Sequence, residues 1–186
     1  MKASNVIAAL CLLLLASLLI WGAGAVAQPR KDQPTAKAKA LSKEDNAAIR
    51  KVFSDWEAAW NSHDMKALVK LYREDAEAIN VVGMYWRGRD VIEKTHTAYH
   101  ETIFKKHNCK VDDVTVRSIG EGYAIAVVTM TGDAFTTPAG QNLPSYQNRI
   151  TFVLTKAEDG WKVVHFQNTK VDADAAKHDP ANPPKK

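Results

Sequence analysis

QNRITFVLTKAEDGWKVVHFQNTK, residues Gln147 to Lys170, decides the architecture. Two runs rich in β-branched and aromatic residues flank Ala157-Glu158-Asp159-Gly160, whose Asp-Gly step is a hairpin turn signal. The second run alternates. Trp161, Val163, His165 and Gln167 are expected on one face, and Lys162, Val164, Phe166 and Asn168 on the other. Neither set is wholly polar, so both faces are expected to be covered, one by helices and the other by a second sheet or a subunit. The polar members of this apolar pattern, Arg149, His165, Gln167 and Asn168, are the first candidates for function.

Before the hairpin, helical and strand signals segregate. Ser42 followed by Asp45 resembles a capping box, and Ile49, Phe53, Trp56 and Trp60 recur as the stripe of an amphipathic helix. Asp64 can cap a shorter helix in which Met65, Leu68, Val69 and Tyr72 share a face. A short strand over 77–82, a turn at Gly83 and a brief strand over 84–87 follow. Asp90 and Glu93 form a second capping-box pattern, opening a third helix to about Lys106 with the stripe Ile92, His96, Tyr99 and Ile103. Lys105, Lys106 and His107 suit its negative dipole end. Strands over 109–119 and 123–131 come next, then a loop over 135–144 long enough for a rim or flap. Helices before a run of antiparallel strands argue for an α+β domain, a curved sheet wrapped around three helices.

The ends read differently. In the 186-residue chain, Lys2, the apolar run over 6–21 and Ala25-Val26-Ala27 have the order of a secretory signal with its cleavage site, so residues 1–27 are read as a signal peptide. The apolar run is short for a span of about 20 residues, so no stable membrane insertion is expected after cleavage. A polar leader over 28–41, the domain over 42–171 and a disordered tail over 172–186 complete the organisation. Export places the product in the periplasm or outside the cell. The net charge of +4 becomes +3 once Lys2 is removed, and no basic stripe interleaves with aromatics, which disfavours nucleic acid. Cys109 is then the only cysteine, so no internal disulfide forms, and it reads as a small apolar strand residue rather than a nucleophile.

Trp56-x3-Trp60-x3-Asp64, Leu71-Tyr72-x2-Asp75-Ala76, Gly88-Arg89-x2-Ile92 and the block Asp159-Gly160-Trp161-Lys162-Val163-Val164-His165-Phe166-Gln167-Asn168-Thr169 carry a resemblance. Over roughly residues 42–170 the chain is similar to the nuclear transport factor 2-like superfamily, and within it to SnoaL-like and SgcJ/EcaC-type proteins. That resemblance implies a cone-shaped α+β barrel, a pocket at the wide end and a homodimer through the outer sheet face. It does not imply one reaction. In the ketosteroid isomerases of that superfamily the base is an Asp four residues after the Ala of an Asp-Ala pair. Here that position is Asn80, which cannot accept a proton, and the phenol donor falls near Trp56. Isomerase chemistry of that kind is therefore not expected.

Three readings remain. The first is an exported small-molecule-binding domain with a pocket lined by Trp56, Trp60, Tyr85, Trp86, Tyr99, Arg149, His165 and Gln167. Arg149 would grip an anionic group and His165 would titrate near neutrality. The resemblance to the association domain of calmodulin-dependent kinase, whose related Val-His-Phe strand lines an Arg-containing cavity, points the same way. Against it, Trp56 and Trp60 fit a plain core, Arg149 an ion pair and His165 a satisfied core or interface position. The second is an isomerase, dehydratase or cyclase using His165 or Asp133 for a proton and Trp56 or Asn80 as an oxygen donor; Asp133 fits a turn equally well. The third is a protein-interaction module. His96 and His100 stand at i and i+4, but without an HExxH glutamate or a spaced third ligand no metal is assigned, and no cofactor is expected.

Overall fold

Helix α1 (Lys43–Asn61) opens the computed structural model, which describes residues 40–181. The signal segment, nearly all of the leader and the last five residues lie outside the described residues. Ser42 Oγ accepts the Asp45 N–H at 2.9 Å, satisfying one orphan donor of the first turn. The whole expected stripe, Ile49, Phe53, Trp56 and Trp60, is buried, joined by Val52 and Ala59. Leu41, assigned to the flexible leader, packs against this core. Asp64 caps α2 (Met65–Val69) through the Ala67 N–H at 2.9 Å. This helix stops after one turn. Tyr72, expected on its apolar face, instead starts β1 (Tyr72–Ile79) and is 1% exposed.

Strand β1 is longer than the sequence suggests, and β2 (Tyr85–Arg87) returns along it. Helix α3 (Arg89–Glu101) starts one residue before the expected cap. Gly88 is the N-cap, at φ 86°, a conformation that suits glycine, and Asp90 lies inside the first turn. The helix ends at Glu101 rather than near Lys106. Then come β3 (Cys109–Gly120), β4 (Tyr123–Gly132), a small ribbon of β5 (Phe135–Thr136) and β6 (Asn142–Leu143), β7 (Tyr146–Ala157), β8 (Gly160–Lys170) and the helical turn α4 (Ala173–Ala176). The ribbon stands where a plain loop was expected, and α4, capped by Asp172, lies in the segment read as tail.

Six strands form one sheet in the order β2-β1-β8-β7-β4-β3. Its ladders are antiparallel except β1 with β8, which is parallel. A parallel pair needs a long connection; here α3 and six strands supply it. The inner face, carrying Ala76, Ala78, Ala126, Val128, Ile150, Phe152, Leu154, Val163 and Phe166, packs under α1, α2 and α3 as one core. No described helix is long and apolar enough to cross a membrane.

One irregularity redirects the strand that opens the sequence reading. The register of β7 with β8 runs Leu154↔Val163 and then Val153↔His165, so Val164 is an extra, bulged residue. A bulge shifts the two-residue period by one step, and every later side chain changes face. Trp161 and Val163 point inward as a pair, but beyond the bulge the inward residues are Phe166 and Asn168. His165 and Gln167 face outward, on the side opposite the one they were expected to share with Trp161 and Val163.

Candidate functional site

Behind the sheet, the C-terminal end of α1 and the inner side of α3 bring an unusual number of rings together. Trp60 is the hub. It stacks on Trp56 with centroids 5.1 Å apart and meets His100 edge-on at 4.5 Å, His107 at 5.9 Å and His96 at 6.0 Å. Phe104, half-buried in the turn after α3, touches Trp60, His100 and His107. His96 continues the ring to Trp86 and Phe166, and Trp86 to Tyr99. His107 stacks on Tyr146 at 5.7 Å. Asn148 follows Tyr146, and Asn168 follows Phe166, at two-residue spacing on the inner faces of β7 and β8. Asn168 pairs with Ile150, which makes the two carboxamides diagonal neighbours across the ladder. The rings and the two asparagines thus gather at one end of the sheet's inner face.

Three polar atoms in this region have no hydrogen-bond partner: His100 Nε2, Asn148 Oδ1 and Asn168 Oδ1, all buried. Leaving such a group unsatisfied costs about 1–3 kcal/mol each. His100 uses its other nitrogen, with Nδ1 2.7 Å from Nδ1 of the exposed His63. His96 donates Nδ1–H to the Ile92 carbonyl at 2.8 Å, which leaves a lone pair on Nε2 of the neutral ring. Burial lowers the pKa of all three inner imidazoles. His100 falls to about 4, with the neighbouring His63, His96 and His107 adding to the burial effect. His96 and His107 also fall, His107 despite the pull of Asp133. At neutral pH these inner rings carry no charge. Among the described residues the buried polar set holds His96, His100, His107, Asn148 and Thr155, with no Lys, Arg, Asp or Glu.

The structure separates the residues that sequence reasoning grouped. Trp56, Trp60, Trp86 and Tyr99 lie together at the inner end. Tyr85 is exposed on β2, under the Arg87 guanidinium at 4.7 Å. Arg149 and Gln167 are exposed on the outer sheet face, where Arg149 lies opposite Thr129 and Thr169. His165 is on that face too, half-buried, 3.9 Å from Glu77. Among the described residues, a cleft of about 700 Å³ lies elsewhere, bounded by Tyr72, Arg73, Glu74, Asp75, Arg89 and Lys162, and neither set lines it. Asn80 accepts the Val82 and Met84 N–H groups and closes the β1–β2 turn. Asp133 accepts from the backbone and side chain of Asn108, bonds that hold its carboxyl below the usual carboxylate range. Of the expected flap, Phe135 packs on Phe104, His107 and Tyr146, so the 135–144 segment does border the inner end. The sequence reading missed His63, His107 and Tyr146. His107, taken for a dipole residue at a helix end, is 2% exposed because that helix stops early. Its spacing of three from Phe104 was the one available signal. Among the described residues no group of three or more His, Cys, Asp or Glu could hold a metal.

The model of the SnoaL-like domain matches residues 49–168. No curated protein matches. Among solved structures, an uncharacterised protein with a cystatin-like fold from Caulobacter vibrioides is 38% identical, with TM-score 0.71, covering 74% of this chain and 97% of its own. A ketosteroid isomerase-like protein from Erwinia carotovora atroseptica is 18% identical, with TM-score 0.58, over 70% of this chain and 99% of its own. An NTF2-like protein of unknown function from Pseudomonas putida KT2440 is 16% identical, with TM-score 0.60, over 73% and 93%. At those lower identities the likeness is one of fold.

Proposed function

The chain belongs to the SnoaL-like domain family, and on that premise we propose that it is an exported, dimeric protein that binds a small neutral molecule at the aromatic and imidazole end of its cone. The observation that carries this reading is the set of unpartnered buried atoms, His100 Nε2, Asn148 Oδ1 and Asn168 Oδ1, beside rings from α1, α3, β7 and β8. A flat molecule meets the first need by stacking on or edging against the rings, and its polar substituents meet the second, with a partner for His100 Nε2 and an N–H or O–H donor for each asparagine oxygen. The uncharged imidazoles and the outward placement of Arg149 argue for a neutral ligand rather than a carboxylate or phosphate. Export rests on the signal-like residues 1–27, and pairing of subunits on the outer sheet face that carries Arg149, His165 and Gln167.

The test is native mass spectrometry with two competing probes at equal concentration. One is a neutral aromatic ketone, 6-propionyl-2-dimethylaminonaphthalene; the other is an anionic naphthalenesulfonate. The expected result is a dimer retaining the ketone. Retention of the sulfonate instead, or of neither, overturns the proposal.

A second reading, proton-transfer chemistry on such a ligand, is favoured by the bare Nε2 of His96 inside the apolar ring set. Base-promoted exchange of α-protons of a bound ketone, abolished in His96→Gln, is its expected signature. Equal exchange in both proteins rules it out.

A further inference from the structure

Tyr146, at the start of β7, is tied into a chain of donors whose direction follows from chemistry alone. The Trp60 indole N–H can only donate, and it lies 3.3 Å from His107 Nδ1. Nδ1 is therefore the bare nitrogen of a neutral ring, and the ring proton is on Nε2. That nitrogen is 3.1 Å from Tyr146 Oη. The phenol oxygen thus accepts from Nε2–H, and its own proton is left to donate elsewhere. Burial raises the Tyr146 pKa, so the proton stays on the oxygen. The next inward residue of β7, Asn148, keeps its carboxamide oxygen unpartnered.

The ring is also seated with little tolerance. A Cβ built at Gly132, the residue opposite Tyr146 on β4, would meet the ring Cζ at 2.5 Å and the hydroxyl at 2.7 Å. Glycine at that position is what lets the phenol lie flat across the strand. Phe135 covers it edge-on at 5.8 Å.

We infer that the Tyr146 hydroxyl is the hydrogen-bond donor that this ring-lined end of the fold offers to a ligand oxygen, with His107 and Trp60 as positioning residues that fix its polarity. The inference rests on the binding reading above and extends it to a ligand class: molecules carrying a carbonyl or similar acceptor oxygen, with Tyr146 donating to it. Accepting from His107 strengthens the bond that the phenol donates, because linked hydrogen bonds polarise one another.

Two measurements test it. In the wild-type protein, 15N NMR of His107 is expected to show Nε2 protonated and Nδ1 bare; the opposite tautomer refutes the relay whether or not any ligand binds. Fluorescence of bound 6-propionyl-2-dimethylaminonaphthalene, whose emission moves to the blue when its carbonyl loses a donor, is then compared in wild type and Tyr146→Phe. The variant keeps the ring and its stacking, and urea unfolding verifies that it folds. It is expected to bind about threefold to tenfold more weakly, the loss typical of one hydrogen bond, with blue-shifted emission. Binding with unchanged emission refutes the donor role while leaving the binding reading intact. Failure of the wild type to bind the ketone refutes both.

Discussion

Lowering the pH from 7 to 5 should weaken this fold measurably, through His100. An ordinary unfolded imidazole titrates near 6.5, whereas His100 in the folded protein titrates near 4, held down by burial and by three neighbouring imidazoles. The unfolded state therefore takes up a proton between these values that the folded state refuses. Stability is complete above pH 6.5, declines as the pH falls towards 4 and levels off below. At pH 5 the unfolded ring is almost fully protonated and the folded one is about one-tenth protonated. Linkage then gives a loss of about 2 kcal/mol from this residue alone, against a total of about 5–15 kcal/mol for a domain. His96 and His107 are shifted in the same direction and add to the loss. The carboxylates with lowered values, Asp45, Asp133, Asp159 and Asp172, act in a separate window below about pH 4. Urea unfolding followed by tryptophan fluorescence at pH 7, 6 and 5 reads the effect, with His100→Gln as the control that cannot titrate. The variant should lose about 2 kcal/mol less than wild type between pH 7 and 5. Parallel curves for the two proteins would refute the reasoning.

Other consequences concern packing and turns. Gly132→Ala should displace the Tyr146 ring and lower the urea midpoint, by the roughly 1–3 kcal/mol typical of overpacking; an unchanged midpoint would show that the ring has room to move. Phe152, 2% exposed and in contact with Phe53 and Phe166, should cost about 3–5 kcal/mol on truncation to Ala, read in the same assay. Asn80→Ala removes the acceptor for two backbone N–H groups and should speed amide hydrogen exchange at Val82 and Met84, leaving the core amides of β7 and β8 protected.

What was readable in the sequence was local and periodic. The α1 stripe, both caps of the first two helices and the Asp-Gly hairpin each depend on residues within a few positions of one another, and each is present. The family block around Trp161 to Thr169 added the overall cone. The facing of His165 was not readable, because a single bulged residue, Val164, inverts a period-two pattern without leaving a compositional trace. The parallel pairing of β1 with β8 joins segments about ninety residues apart, and nothing in either strand announces its partner. The inner site shows the same limit. His107 meets Trp60 and Tyr146 across sequence separations of 47 and 39, so one expected pocket residue and two overlooked ones came together only on folding. Arg149 misled for a related reason: a cation amid β-branched residues marks an outward strand position as readily as a pocket wall.

The most direct measurement is the affinity of 6-propionyl-2-dimethylaminonaphthalene for four variants, two on each side of the sheet. Trp86→Leu and Tyr146→Phe, at the inner end, should weaken binding several-fold, whereas Arg149→Ala and His165→Ala, on the outer face, should leave it within twofold of wild type. The opposite pattern, with the outer variants losing the ligand and the inner ones keeping it, would contradict the assignment of the site to the inside of the cone.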